Sequence, residues 1–288
     1  MRASWNQVRT TPIHVFVLIL AITLLGGCRA SEKSADNTSP ASADRAPGAP
    51  AIHSYSTTFP KAENPVNENG NWNGGSLAET DFGKRSGESI NRLWGNVQTV
   101  PGMAFGVDEP TEFGDPTAIL TGTWGQTQTA TANVKVNKTP RGACCHEVEV
   151  RLRTTISDRS ITGYEGYCSV MPSHPYCHIA RWNGPDNSYW NLEKKSVAVY
   201  FADGDVMKAT ATGANPVVIT LYKNGVAVLQ AVDTGAAGGG FGAYGPFPSG
   251  NPGIGFYDNH DNNWKDFGLS SFTATDDPSA AAAPASAR

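Results

Sequence analysis

The feature that constrains this chain most is a strict two-residue alternation at 146–153. The even positions are His146, Val148, Val150 and Leu152, and the odd positions are Glu147, Glu149, Arg151 and Arg153. Successive side chains of a strand point to opposite faces, so this run reads as a β-strand with one aliphatic face and one charged face. The aliphatic face must be covered by a second layer, and the other carries two carboxylates followed by two guanidinium groups. Similar short runs recur at 94–100, 117–120, 128–136, 161–168, 176–182, 205–212, 217–223, 226–232, 253–257 and 267–275, each bounded by Gly, Asn, Asp or Pro. Asn224-Gly225 between two such runs is a hairpin turn signal, because a type I′ turn takes positive φ twice. More than ten strands without a long helical period predict an all-β domain, an antiparallel β-sandwich or jelly roll with one concave sheet.

The ends of the chain have a different character. Arg2 and Arg9 precede a thirteen-residue apolar run at 13–25, too short to span a bilayer comfortably and suited to a signal-peptide core. It ends in Leu25-Gly26-Gly27-Cys28, which resembles the bacterial lipobox. That resemblance implies a cleaved signal peptide over 1–27 and acylation of Cys28. Residues 28–52 are rich in Ala, Ser, Pro and Asp and read as a flexible tether; 276–288 read as a disordered tail. The domain is expected at 53–275. Arg29 follows the cysteine, so the expected address is the outer membrane of the cell envelope, with the lipid anchor as the sole membrane contact.

Removing Arg2 and Arg9 from the 22 basic residues leaves 20, against 26 acidic ones. Such a balance argues against nucleic acid as a partner, since phosphate binding takes a basic footprint. Four cysteines remain after Cys28: Cys144, Cys145, Cys168 and Cys177. In an oxidising compartment disulfides are expected. Cys168 and Cys177 flank a short loop and are a plausible pair; Cys144 and Cys145 then have each other, or one of them pairs with the hairpin. A zinc site using His146, His174 or His178 is the alternative, though the spacings match no standard zinc pattern.

Several stretches together resemble the concanavalin A-like lectin/glucanase superfamily in its laminin-G-like branch. They are the 146–153 strand, Arg181-Trp182-Asn183-Gly184, the 203–209 segment beginning Asp203-Gly204-Asp205, the 221–228 hairpin, 251–257 and 266–274. The likeness covers about 55–275 and implies a fold that hosts lectins, adhesion modules, hydrolases and lyases alike. Laminarinase-type relatives place an acid/base glutamate two or three residues beyond a pair of acids. Here Glu147 and Glu149 match the pair, but Arg151 stands where the proton donor belongs, and arginine does not release a proton near neutrality. Alginate-lyase-type relatives use a strand Arg-x-Glu-x-Arg and a Gln-x-His. Glu149-x-Arg151 matches in part, Glu147 replaces the first arginine, and His178 lacks the Gln.

The expected function is therefore non-catalytic carbohydrate binding or adhesion, with a polysaccharide or glycan as partner. Polysaccharide cleavage through Glu147, Glu149, Arg151 and His178 is the alternative, and a purely structural envelope role the third. Expected ligand contacts are Glu147, Glu149, Arg151, Arg153, Tyr164, Arg181, Trp182 and Asn183, with Tyr167, Tyr189 and Trp190 as further aromatic platforms. Tyr164 and Trp182 read more readily as core residues than as platforms, and the charged stripe reads equally as a solvated face of cross-strand ion pairs. The superfamily often binds calcium, for which Asp258, Asp261 and Asp266 are the oxygen donors to consider. The loop at 233–250, with Phe241, Tyr244 and Phe247, reads as a disordered insertion, with a place at the border of the groove as the alternative.

Overall fold

A computed structural model describes residues 52–75, 79–80, 92–107, 112–113, 115–141, 144–157, 160–184, 188–235, 245–258 and 264–282. The signal peptide, Cys28, most of the expected tether, Phe241, Tyr244, Asp261 and the last six residues lie outside the described residues.

In chain order the strands are β1 (Ser54–Thr57), β2 (Trp72–Gly74), β3 (Glu79–Thr80), β4 (Arg92–Trp94), β5 (Asn96–Val100) and β6 (Met103–Val107). Then come β7 (Glu112–Phe113), β8 (Thr117–Leu120), β9 (Gln128–Val136), β10 (Glu147–Ser157), β11 (Ser160–Ser169) and β12 (Cys177–Gly184). The last are β13 (Tyr189–Asn191), β14 (Val206–Thr212), β15 (Val217–Lys223), β16 (Val226–Asp233), β17 (Asn251–Tyr257) and β18 (Phe267–Thr275). One short helix, α1, follows at Pro278–Ala282.

Two antiparallel sheets face each other as a jelly-roll sandwich. The first runs β16-β15-β14-β9-β18-β6-β5, with β1 also on β18; the second runs β13-β12-β11-β10-β17-β8-β2. A small third sheet, β3-β4-β7, completes the set. The expected alternation of β10 holds over its first half: Val148, Val150 and Leu152 enter the core with Ile179, Ile254 and Phe256. From the facing sheet come Ala130, Ala132, Val134, Met207, Ala209, Ile219, Leu221 and Phe272. Each large aliphatic side chain buried in this way contributes roughly 1.5–3 kcal/mol. The Asn224-Gly225 turn takes positive φ at both residues, 48° and 84°, as the hairpin signal required.

Two expectations are corrected. The domain does not stop at 275: Asp276 is buried, its carboxylate accepts the N–H groups of His53 and Gly125, and α1 follows. The carboxylate ties the strand that enters the domain to the one that leaves it. Second, the alternation of 146–153 breaks at its end. Arg153 sits at φ 49° and the register of β10 with both neighbours shifts there, which marks a β-bulge. Arg153 therefore does not join the outward stripe. It is buried, and its guanidinium donates to the carbonyls of Gln126, Phe247 and Gly213 at 2.7, 3.0 and 2.7 Å.

The pairing of the cysteines is settled by register. Cys168 and Cys177 lie directly opposite on β11 and β12 and are bonded to each other, and Cys144 is bonded to Cys145. No sulfur is left for zinc among these four. His146 packs against Met171 and Phe267, while His178 pairs with Glu193, so the zinc alternative falls.

Candidate site on the outer face of the seven-stranded sheet

Register fixes which side chains share the outer face of the second sheet. Glu147 stands opposite Tyr257 of β17. Glu149 stands opposite Tyr167 of β11 and Gly255 of β17, and Tyr167 in turn opposite His178 of β12. Arg151 stands opposite Glu165, and Trp182 opposite Tyr189. These strands are held in place by the aliphatic residues on their other face, so the outer row is presented by a rigid support.

The face has two halves. In the first, Arg151 is fully buried with Glu149, Glu165 and Asp115. Its Nη2 donates to Asp115 Oδ1 at 2.6 Å and to Glu149 Oε2 at 2.8 Å, and Nη1 lies 3.2 Å from Glu165 Oε2. Trp182 covers the guanidinium, 5.5 Å from ring centre to Cζ, and its indole N–H donates to Glu165. Trp94 of β4 packs against Trp182 with ring centres 4.9 Å apart, beside Ile161. Gly255 makes room for the cluster: a Cβ there would sit 2.8 and 3.0 Å from Arg151 Nε and Nη2 and would collide with Glu149.

Burial dominates the electrostatics of this half. It pushes the Asp115 carboxyl up to about 8; Arg151 pulls back and Glu165 adds to the rise. Glu149 is raised for the same reason, with Glu165 and Asp115 adding to it. For Arg151, burial opposes the charge, but Glu165, Glu149 and Asp115 outweigh it and raise the guanidinium further.

Asp115, Glu149 and Glu165 offer oxygens within 4.8 Å of one another, the spacing of a metal's ligands. They do not fit a resident calcium, because the Arg151 guanidinium already stands among them and reaches all three. The expected calcium donors lie elsewhere: Asp258 is buried, and Asp266 is ion-paired to Lys138 at 3.1 Å.

The second half is partly open. Glu147, Tyr167, Tyr176, His178 and Tyr257 are all half-buried, and Tyr189 is 43% exposed. Tyr176 donates its hydroxyl to Glu147, Tyr167 donates to Asn191 at 3.1 Å, and His178 pairs with Glu193. Tyr167 stacks on His178 with centroids 5.1 Å apart and meets Tyr176 edge-on at 6.4 Å. Burial raises the Glu147 carboxyl to about 8; the Tyr176 hydroxyl lowers it, while Glu165 and Asp115 push it higher. Burial likewise raises the phenols of Tyr167 and Tyr176, and that of Tyr257 to about 12.

Of the residues singled out from the sequence, this face brings together Glu147, Glu149, Arg151, Trp182, Tyr167, Tyr189 and His178. It does not hold Arg153, for the bulge already described. Nor does it hold Tyr164 and Arg181, which register places opposite each other and on the Leu152 side of the sheet. There Arg181 Nη1 lies 2.7 Å from Asp233 Oδ1, Tyr164 donates to the other oxygen of Asp233 at 2.8 Å, and Arg181 Nε donates to buried Asn183. Phe247 packs on Tyr164, and its N–H donates to the Tyr164 hydroxyl. Trp190, opposite Arg181, is 44% exposed on the edge strand. Sequence reasoning missed Asp115, Glu165, Tyr176, Tyr257 and Trp94. Glu165 and Tyr167 lie two residues apart on β11 and carry the same period-two signal as Glu147 and Glu149 on β10.

No protein-family model matches the chain, and no curated protein sequence does. Solved structures with a similar fold include the carbohydrate recognition domain of Emp46p in its metal-free form, at TM-score 0.44 and 10% identity over 76% of this chain and 95% of that one. A basic winged bean lectin with Tn-antigen aligns at TM-score 0.36 and 9% identity over 78% of this chain and 98% of that one. A xylan β-1,4-xylosidase from Bacillus halodurans C-125 aligns at TM-score 0.41 and 8% identity over 76% of this chain but 38% of that one. The two sheets and their register define the architecture.

Proposed function

We propose that the half-open outer face around Glu147 binds carbohydrate without cleaving it, and that the domain is held in the bacterial cell envelope by acylation of Cys28. One observation carries the binding reading. A carboxyl is surrounded on a half-open sheet face by Tyr167, Tyr176, Tyr257 and His178, while the rest of that face is sealed by Trp94 and Trp182. A merely solvated face would carry separate polar side chains. Clustered rings beside hydrogen-bonding tips suit sugars, which present apolar C–H faces and hydroxyl edges. The anchor rests on the 13–28 sequence, and the two disulfides fit an oxidising extracytoplasmic compartment.

The same geometry argues against cleavage. A retaining glycosidase needs a free carboxylate facing its proton donor at about 5–5.5 Å. Glu147 has the raised carboxyl of a proton donor, but Glu149 is buried and held by Arg151. A uronate lyase needs a guanidinium or similar group for the substrate carboxylate. Arg151, Arg153 and Arg181 are each buried and engaged with protein oxygens.

The test is calorimetric titration of the full-length chain with a panel of soluble polysaccharides, together with assays for new reducing ends and unsaturated uronates. At least one polymer is expected to bind, no cleavage to appear, and Tyr167→Ala to weaken binding about tenfold. Failure of the whole panel to bind would favour the structural role; cleavage would favour the enzyme.

A further inference from the structure

We propose that the ligand is a glycan bearing free ammonium groups, an amino-sugar polymer, with one ammonium set against the Glu147 carboxylate and the surrounding tyrosine rings. This rests on the carbohydrate reading above and names the class of sugar it takes.

Charge on the outer face is one-sided. Glu147, Glu149, Glu165 and Asp115 lie together, and the single guanidinium among them, Arg151, is consumed by the last three. Among the described residues Glu147 has no basic partner: it accepts the neutral hydroxyl of Tyr176. The other charge-bearing pair on the open half, His178 with Glu193, is already closed. Lys194 and Lys195 follow in the exposed turn beyond Glu193, outside the registered rows of the sheet. An acidic or sulfated sugar entering here would lose its hydration beside acids with no cation of this face free to pair with it among the described residues, which disfavours it.

The chemistry of the open half is more specific than negative potential. A metal ion wants many oxygens, and among the described residues of this open half one carboxylate, Glu147, is within reach of solvent. Aromatic rings serve an ammonium instead, since the ring face attracts a cation and strips its water at little cost. Tyr167, Tyr176, Tyr257 and His178 supply such rings beside one accessible carboxyl. The pyranose stacks on a ring, and its 2-amino group makes a charge-assisted hydrogen bond to Glu147. Burial and the neighbouring acids keep a proton on Glu147 near neutrality, so an arriving ammonium releases that proton and takes its place.

The experiment compares three ligands of equal length on the wild-type full-length chain at low ionic strength and pH 6.5: a fully deacetylated glucosamine oligomer, its N-acetylated counterpart, and an oligouronate. The deacetylated oligomer is expected to bind about tenfold tighter than the acetylated one, weakening with added salt, and the oligouronate not to bind. Glu147→Gln, which keeps the shape of the side chain, is expected to abolish the difference while melting no lower than the wild type, since it removes a buried carboxyl whose raised pKa costs stability at this pH. Equal or tighter binding of the acetylated oligomer, or binding of the oligouronate, overturns the ammonium assignment and leaves the carbohydrate reading standing. Absence of binding by all three, and by neutral polymers, overturns both. Because the central comparison is made on the wild type, it does not depend on the variant folding.

Discussion

Arg151 is the residue whose loss should be felt most, and the cost follows from its surroundings. Arg151→Met keeps the bulk of the side chain and its contact with Trp182 but removes the one cation from among Asp115, Glu149 and Glu165. Breaking a buried ion pair by deleting one partner costs about 3–5 kcal/mol, because the charge left behind is neither solvated nor paired. For a domain of this size that lowers the melting temperature by roughly 10 °C. The cost should depend on pH. Without the guanidinium, Asp115 and Glu149 lose the charge that pulls their carboxyls back down, so these two rise further above their unfolded values. A carboxyl raised in this way contributes stability below its unfolded pKa and loses it as pH rises through its folded pKa. The variant should therefore be penalised more at pH 7.5 than at pH 5, by about 1.4 kcal/mol per pH unit for each proton taken up. Urea unfolding of both proteins at the two pH values measures this directly. Adding Glu149→Gln to Arg151→Met should restore part of the loss. A cost below about 1 kcal/mol at pH 7.5, or one equal at both pH values, would refute the view of this cluster as an obligate buried ion network.

The wild type should itself lose stability between pH 5 and 8, because Asp115 and Glu147 are raised to about 8 and Glu149 is raised too; a flat or rising calorimetric profile would contradict the assignment. Arg153→Ala strips three loop carbonyls of their donor and should cost about 3 kcal/mol in urea while leaving glycan affinity unchanged; the reverse pattern would return Arg153 to the binding face. Replacing both Cys168 and Cys177 by Ala should cost about 2–3 kcal/mol, and replacing Cys144 and Cys145 by Ser much less, since a ring closed between neighbours restrains almost no unfolded chain. Equal losses from the two pairs in parallel denaturation curves would speak against that entropic account.

Alternation and turn chemistry made much of the sandwich legible. β9, β15 and β18 fall where the period-two runs lie, and the β15–β16 turn is the Asn-Gly turn expected. Strands without alternation were mostly missed, the apolar run of β8 being an exception. β1, β2, β6 and β13 read SYST, WNG, MAFGV and YWN, which have no two-sided pattern to detect. The site was legible only along single strands. Glu147, Glu149 and Arg151 came from one period, but Asp115, Glu165, Tyr176 and Tyr257 join them from other segments, and only register brings them there. Arg181 shows the same limit. Its charge suggested a ligand contact, yet its place opposite Tyr164 turns it to the Leu152 side of the sheet, where Asp233 of β16 meets it. At Arg153 the failure is different: a bulge reverses parity, and nothing in His146–Arg153 announces the extra residue.

The position of Arg151 also bears on why the proposed role of this strand is binding rather than cleavage. A catalytic carboxylate pair needs both members exposed to substrate, with their pKa values pushed apart by different surroundings. Here the partition is spatial instead. The guanidinium draws Glu149, Glu165 and Asp115 into a sealed half, where Trp94 and Trp182 exclude water and Gly255 lets β17 close over the cluster. Glu147 is left alone at the open end with its tyrosines. A lone acid among rings can recognise and hold a ligand. It lacks the second carboxylate that would complete a displacement. Restoring hydrolytic geometry would thus take more than Arg151→Glu, because that change would add a fourth acid to a buried cluster and remove its one cation. The expected product of that substitution is an unfolded chain rather than a glycosidase, and a folded, active Arg151→Glu variant would contradict the division of this face into a structural half and a binding half.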